Sequence, residues 1–378
     1  MFAFRNVSAA VFGAITCVII LNCASSSAVR PGNERFLQKS RIHVNETAFE
    51  DVIGQLAEQE HLDMKLDPSV VAEGAHKVKV TLNFDGISLR SVLNLLCESI
   101  TPGIQHRVDD AGRILFLTDL EEAAHFVVRK YPLTSLGSLM SDSDQLTQVL
   151  IWTTSGPWKK LDGEGGEILS TEQGVITIRQ SRNVHEQIEN LFLQLASVSS
   201  GHPLSSLPFE TTEAGLRKSL DTMSSPHQGK ISLKDFFSEV LGSQGIPYWL
   251  SPQALKEVGD AVITLDGKSR PVRETLQIAL HPLKLSFEIE DEVIKIRPVG
   301  FAEDRMITKV YDIRKLAFPT RSSQEVMASL ESTEEIGRWF NVDGEGGTMA
   351  VIGPLLVIRQ TVMSHEKIAA VLDGKPNP

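Results

Sequence analysis

Trp158-Lys-Lys-Leu-Asp162-Gly-Glu-Gly-Gly166 leads into Val175-Ile-Thr-Ile-Arg-Gln180 and then His185-Glu186. The same series returns as Trp339-Phe-Asn-Val-Asp343-Gly-Glu-Gly-Gly347, Leu355-Leu-Val-Ile-Arg-Gln360 and His365-Glu366. Tyr131 and Tyr311, Arg179 and Arg359, and His185 and His365 are each 180 positions apart. Chance does not hold one spacing over three landmarks, so the chain reads as a tandem of two like units. Duplication carries two expectations: both halves follow one chain path, and no single core spans them.

Working outward, the first unit opens with a short strand at 41–46. Phe49, Val52, Ile53, Leu56 and Ala57 then share one helical face. A turn at 63–68 precedes Val78, Val80, Leu82 and Phe84, which alternate with polar residues as in a strand with one buried face. Leu89, Val92, Leu93, Leu96, Cys97 and Ile100 make the next helical stripe, stopped by Pro102-Gly103. Ile104, His106 and Val108 face Ile114 and Phe116 across Asp109-Asp-Ala-Gly112, a hairpin signal.

A second module follows, with a strand at 126–133 and a helix opened by Asp142-x-x-Gln145 and lined by Leu146, Val149 and Leu150. Strands near 167–171 and 175–180 precede a last helix burying Val184, Ile188, Leu191, Phe192 and Leu195. After a breaker-rich stretch at 197–230, with room for a short helix at 212–221, the pattern replays. It runs through strands at 230–233 and 262–265, helices around Phe237 and Leu276, and a hairpin about Glu290-Asp-Glu292. A strand at 307–313 then precedes a helix capped by Ser322-x-x-Glu325. The fold class is α+β: tandem small mixed-sheet domains, βαββαββ followed by βαββα, repeated twice. The domains span 41–120, 125–197, 230–299 and 304–373, with linkers at 29–40 and 198–229 and a tail at 374–378.

Residues 1–28 read as a secretory signal peptide, with Arg5, an apolar run from Val7 to Leu21, and Ser26-x-Ala28 as the cleavage site. A competing reading cuts before Cys23 and lipidates it. Either way the mature chain is exported to the periplasm or cell envelope. Cleavage after Ala28 leaves Cys97 as the one cysteine, so an intrachain disulfide is not expected. Removing Arg5 leaves 36 basic against 48 acidic side chains, a surface that repels phosphate backbones. No later apolar run reaches the ~18 residues of a membrane-spanning helix, so none is expected in the mature chain.

The stretch 230–298 resembles the STN domain, the short N-terminal domain shared by secretins and TonB-dependent transducers. The likeness rests on Leu233-Lys-Asp-Phe, Gly245-Ile-Pro-Tyr-Trp-Leu, Val262-Ile-Thr-Leu-Asp, Val272-Arg-Glu-Thr-Leu and Glu292-Val-Ile-Lys-Ile. The stretch 47–117 looks like a more diverged copy, with Val80-Thr-Leu and Ser91-Val-Leu at equivalent points. The modules at 126–197 and 307–372 are similar to the KH-like N-terminal domain of secretins. The chain lacks the long run of alternating strands that a secretin pore or a TonB-dependent barrel needs. The resemblance therefore implies the part of those families that stacks into rings or docks partners at sheet edges, and not the pore.

The repeated loop is the candidate interaction surface: Trp158, Asp162, Gly163, Glu164, Gly165 and Gly166, and Trp339, Asp343, Gly344, Glu345, Gly346 and Gly347. Its glycines formally match the GxxG clamp of KH domains, but the loop leads into a strand and carries acids where that clamp has basic surroundings, so nucleic acid is not expected as a partner. No Lys-Ser/Thr follows, which removes a nucleotide phosphate loop. Calcium needs six or more oxygens, and the next alternate positions are Gly166 and Gly347, so the loop reads as a turn that needs glycine dihedrals. Two readings stand for the tryptophans: exposed anchors, or lids on their own cores. His185-Glu186 and His365-Glu366 lack a second histidine four residues on, having Glu189 and Ala369 there, and read as first turns of helices. Cys97 sits on an apolar stripe and reads as an inert buried thiol. No catalytic residue, cofactor or metal site is expected.

The expected function is a non-enzymatic cell-envelope interaction module, acting as scaffold, adaptor or assembly element. Its partners are envelope proteins, with a secretion-system or TonB-type component among the candidates. The alternative is a ligand-binding or sensory module for a cell-wall glycan, a peptide or a divalent ion at the repeated loops. The residues do not fix whether the two units hinge about 197–230.

Overall fold

A computed structural model describes residues 33–374 apart from 101–102, 110–111, 135, 138–142, 173, 201–207, 301–305 and 316–321. The signal peptide, Cys23 and the cap residue Asp142 lie outside the described residues.

The first unit begins β1 (Lys39–Ala48), α1 (Phe49–Glu60), β2 (Met64–Leu66), α2 (Pro68–Ala72), β3 (Lys79–Ser88), α3 (Leu89–Glu98), β4 (Ile104–Val108) and β5 (Ile114–Thr118). β1 and β3 form an antiparallel pair, while β2, β5 and β4 form a second sheet with β2 parallel to β5. A short α4 (Asp119–Ala124) leads to β6 (Phe126–Pro132), α5 (Ser143–Thr153), α6 (Lys159–Asp162), β7 (Glu167–Glu172), β8 (Val175–Ser181) and α7 (Arg182–Ser200), with sheet order β6-β8-β7. The connecting stretch holds α8 (Pro208–Ser219), longer than the expected helix and earlier in the chain.

The second unit repeats the path as β9 (Gln228–Ser232), α9 (Leu233–Val240), β10 (Tyr248–Leu250), α10 (Pro252–Val258), β11 (Val262–Asp266), α11 (Val272–Leu280), β12 (Leu285–Glu290) and β13 (Val293–Pro298). Its sheets are β9-β11 and β10-β13-β12, with β10 parallel to β13. It ends in β14 (Met306–Asp312), α12 (Ser323–Glu331), α13 (Phe340–Asp343), β15 (Thr348–Ile352), β16 (Leu355–Thr361) and α14 (Val362–Leu372), ordered β14-β16-β15. The two halves thus share one topology, strand for strand.

Three local features go beyond the reading from sequence. The stretch 63–68 holds β2, which pairs with β5, as well as a turn. Helices α2 and α10 stand between the second and third strands, where no helix was expected. Asp67 accepts the Ser69 amide at 2.9 Å and Ser251 accepts the Ala254 amide at 3.2 Å, with Pro68 and Pro252 each just inside the helix. The strand expected at 230–233 is Gln228–Ser232, because the Ser232 hydroxyl accepts the Asp235 amide and starts α9 at Leu233. The capping box at Ser322 and Glu325 forms as expected.

Four apolar clusters hold the chain, one per domain, yet two draw on the other half. Trp249 and Val293 join the cluster of Phe49, Leu93 and Phe116, while Ile352, Leu355 and Val357 join that of Leu146, Trp158 and Ile188. The cores are therefore not confined to their own units, contrary to the simplest form of the duplication. The cause is one docking scheme used twice: a sheet of the second unit lies on helices of the first. The β14-β16-β15 sheet packs on α5 and α7, with the Gln194 amide donating to the Thr308 carbonyl at 3.1 Å. The β10-β13-β12 sheet meets α3.

Candidate functional site

Each repeated loop is a one-turn helix, α6 or α13, closed by a glycine and tied back to the strand that follows. Asp162 Oδ2 accepts the Trp158 amide at 2.6 Å, and Asp343 Oδ2 accepts the Trp339 amide at 2.9 Å. Both aspartates therefore hold their own helix start rather than reach outward. Gln180 donates through Nε2 to the Pro157 carbonyl at 2.9 Å, and Gln360 donates to the Arg338 carbonyl at 2.8 Å. Trp158 bridges Gly166 as Trp339 bridges Gly347.

The glycines are needed for two separable reasons. Gly163 and Gly344 take φ of 79° and 75°, and Gly165 and Gly346 take 105° and 101°, all left-handed. A Cβ at Gly165 or Gly346 would in addition stand 2.4 Å from the carbonyl oxygen of Pro157 or Arg338. A Cβ at Gly166 or Gly347 would meet the Gln180 or Gln360 side chain. Trp158 and Trp339 are 181 positions apart, one more than the flanking landmarks. β7 carries a bulge between Ile168 and Ser170 that β15 lacks, which restores the spacing of 180 at the arginines.

Trp158 is 1% exposed and Trp339 2%, so both indoles lid their own cores, and as exposed anchors they are corrected. Trp158 Nε1 donates to Thr154 at 3.2 Å, whereas Trp339 Nε1 has no partner among the described residues. What the loop shows to solvent is 159–164 and 340–345. Leu161 and Val342 occupy equivalent positions there and are 46% and 62% exposed, with Phe340 at 44% beside Val342. Phe340 lies 5.7 Å from the Trp152 ring of the first unit. Glu345 is paired with Arg338. Reading from sequence singled out the tryptophans, acids and glycines and missed the apolar residue just before each aspartate; its recurrence at one position of both loops was the available signal.

The duplicated histidines are internal. Tyr131 and His185 Nδ1 are 2.6 Å apart, Tyr311 and His365 Nδ1 2.8 Å, and each Nε2 lies 2.9 Å from the carbonyl of Val127 or Ile307. A tyrosine hydroxyl donating to Nδ1 and a carbonyl accepting from Nε2 fix a neutral imidazole. Burial drives His365 down to about 4. Cys97 is buried, and burial first, then the neighbouring Glu98 carboxylate, pushes its thiol well above the ordinary range, which makes it inert as expected.

The densest electrostatic cluster lies at the seam between α3 and the β10-β13-β12 sheet, and sequence reading passed over it. Lys295, fully buried, places Nζ 2.7 Å from Glu98, 2.9 Å from Glu290 and 2.6 Å from Asp291. Those three carboxylates converge as metal ligands would, but the ammonium already stands among them and uses its three donors. Arg297 pairs with Glu98 and Glu288, and both cations lie 5.9 Å from the Trp249 ring centroid. The β13 strand Val293-Ile-Lys-Ile-Arg297 is buried on both faces.

No helix among the described residues is long and apolar enough to cross a membrane. No protein-family profile matches the chain, and no curated protein matches it. Among solved structures it is similar to the GspC-GspD complex of the type II secretion system from enterotoxigenic Escherichia coli, at 11% identity over 41% of this chain and 96% of that one, with a TM-score of 0.17. It is also similar to XcpQN012, at 15% identity over 63% of this chain and 94% of that one, TM-score 0.19. A dimeric mutant of the N-terminal domain of the secretin XcpQ from Pseudomonas aeruginosa matches at 14% identity over 40% and 64%, TM-score 0.15.

Proposed function

We propose that the protein is a non-enzymatic interaction module of the cell envelope, in which tandem secretin-like domains hold two copies of a docking loop. The carrying observation is the pair of rigid loops with Leu161 and Val342 exposed at equivalent positions. The Asp-to-amide cap, the Gln-to-carbonyl tie and the glycine dihedrals recur in both copies, so the exposed apolar side chain is presented on fixed backbone. Pre-organised apolar side chains lower the ordering cost of docking a protein partner. The residue pattern that resembles STN and KH-like domains, together with the leader-like 1–28, supports an exported partner set of envelope proteins, a secretion-system component among them. The ligand-binding alternative is weaker, because Asp162, Asp343 and Glu345 are already engaged within their own loops.

A photo-crosslinking residue placed at Leu161 or Val342 of the full chain, irradiated in cell envelopes, tests this reading. The expected result is a defined protein adduct from both positions and none from the exposed Gln253. Equal background from all three positions overturns it.

A further inference from the structure

We infer that the seam between the two units is a heterospecific docking interface: helices of unit one accept a sheet of unit two and reject their own kind, so the chain is a closed pair. The partner that this surface fits is the other half of the chain.

Equivalent positions carry opposite chemistry in the two units. β13 and β5 align through their parallel partners, Ile294 opposite Tyr248 and Ile114 opposite Met64. Lys295 and Arg297 thus correspond to Leu115 and Leu117. α3 and α11 align from their first residues, Leu89 and Val272, so Leu95 and Glu98 correspond to Ile278 and His281. Leu95 is fully buried under the seam, whereas Ile278 is 42% exposed and Glu274 beside it faces solvent. Two copies of unit one would set leucines against Glu98; two copies of unit two would leave Lys295 and Arg297 only their own hairpin's Glu288, Glu290 and Asp291, and would bring buried Glu292 to Pro271, which stands at Ser88's position and has no amide to donate. Either takes a seam carboxylate away from its donors, which is how polar groups enforce partner choice.

The other seam repeats the logic without charge. Leu355-Leu-Val-Ile358 is buried on both faces of its sheet, with Leu355 and Val357 against α5 and Leu356 and Ile358 against the second unit's own helices. The equivalent face of unit one carries Thr177, exposed Lys130 and Val128 at 54% exposure. On the helical side, Ile151 and Trp152 at the end of α5 correspond to Glu331 and Ser332. The faces equivalent to the seams thus carry polar side chains beside exposed Val128 and Ile278, and neither repeats the continuous apolar surface of its counterpart.

The test uses the full chain with a protease site inserted within 201–207 and cut after purification. The expected outcome is fragments that co-elute as one N-terminal plus one C-terminal half, intact protein that stays monomeric in sedimentation to high micromolar concentration, and native mass spectra without like-like pairs. Separation of the halves, like-like pairs, or concentration-dependent oligomers of the intact chain would each overturn the inference. Substituting Lys295→Leu and Arg297→Leu, the residues unit one carries, should raise the dissociation constant between the nicked halves at least tenfold. Unchanged affinity would remove the charge network as the selector. None of these readouts depends on a partner being captured by the loops.

Discussion

Glu292, at the tip of the β12–β13 hairpin, accepts the backbone amide of Ser88, the residue that caps α3 some 204 positions earlier. It also accepts Ser91 Oγ at 3.0 Å and pairs with Lys39. A carboxylate from the second unit thus sits at the positive end of a helix in the first. Asp291 and Glu292 pay for that reach with left-handed φ of 49° and 61° in a two-residue turn that ordinarily favours Asn-Gly. Asp291 is held in turn by the Asn94 amide at 2.7 Å.

Glu292→Ala should therefore cost ~1–3 kcal/mol, because it leaves the buried Ser88 amide without its acceptor at the seam. Glu292→Gln keeps an acceptor and should cost less. Burial alone would raise this carboxyl, but hydrogen bonds from Lys39, Ser88 and Ser91 outweigh it and hold it at about 2. Its contribution is complete above the ordinary carboxyl value of 4.5 and is lost as pH falls from there towards 2. Urea unfolding of wild type and Glu292→Gln between pH 7 and 3 checks this: the gap between them should narrow only below 4.5.

Lys295→Met removes the ammonium from among Glu98, Glu290 and Asp291 and should destabilise by ~3–5 kcal/mol. Adding Asp291→Asn, which discharges the most buried of the three, should recover part of that loss. A double-mutant cycle by chemical denaturation measures the coupling. Additive effects of the two substitutions would show that the carboxylate and the ammonium do not interact.

The loop glycines sort by cause. At Gly163 and Gly344 a Cβ meets nothing within 4 Å, so alanine should cost only the left-handed penalty, ~1 kcal/mol. At Gly165 and Gly346 the same substitution drives a Cβ into a backbone carbonyl, and ~2–4 kcal/mol is expected. Four single alanine variants in one denaturation series decide it, and a flat series would mean that the loops relax freely.

The duplication was legible because its landmarks are local: the glycine loop, the Arg-Gln strand end and the histidine that follows. Strand alternation and helical stripes located the sheets and most helices for the same reason. The seams were not read, although their signal was present. Leu355-Leu-Val-Ile is a continuous apolar run and Val175-Ile-Thr-Ile alternates, the difference between a strand buried on both faces and one half solvated. Lys295 and Arg297 were harder, because charge at alternate strand positions reads as solvent exposure unless the opposing Glu98 is known, and it lies 197 residues from Lys295. The tryptophan burial was one of two open readings, since an indole before a tight loop fits either a lid or an anchor.

Trp158 and Trp339 offer a matched comparison within one molecule. Trp158→Phe loses the hydrogen bond to Thr154 as well as packing, while Trp339→Phe deletes an N–H that has no partner among the described residues. The first should be the more costly by ~1 kcal/mol, read from paired urea midpoints.

The buried histidines set the mildly acidic limit of stability. His365 and His106 are both lowered to about 4, His365 by burial and His106 by burial and then the Arg90 charge, from an ordinary value of 6.5. Between 6.5 and 4 the unfolded chain binds protons that the folded chain refuses, so stability falls as pH falls through that window. Each site contributes up to about 3 kcal/mol. Below about 4 the folded protein takes the protons too, and neither histidine costs more. His365→Gln, which offers an amide to the Ile307 carbonyl and does not titrate, should flatten part of the slope in unfolding free energy between pH 6.5 and 4. It should leave the Glu292 window below 4.5 in place. A variant whose slope matches wild type across the whole range would show that His365 is protonated in the fold.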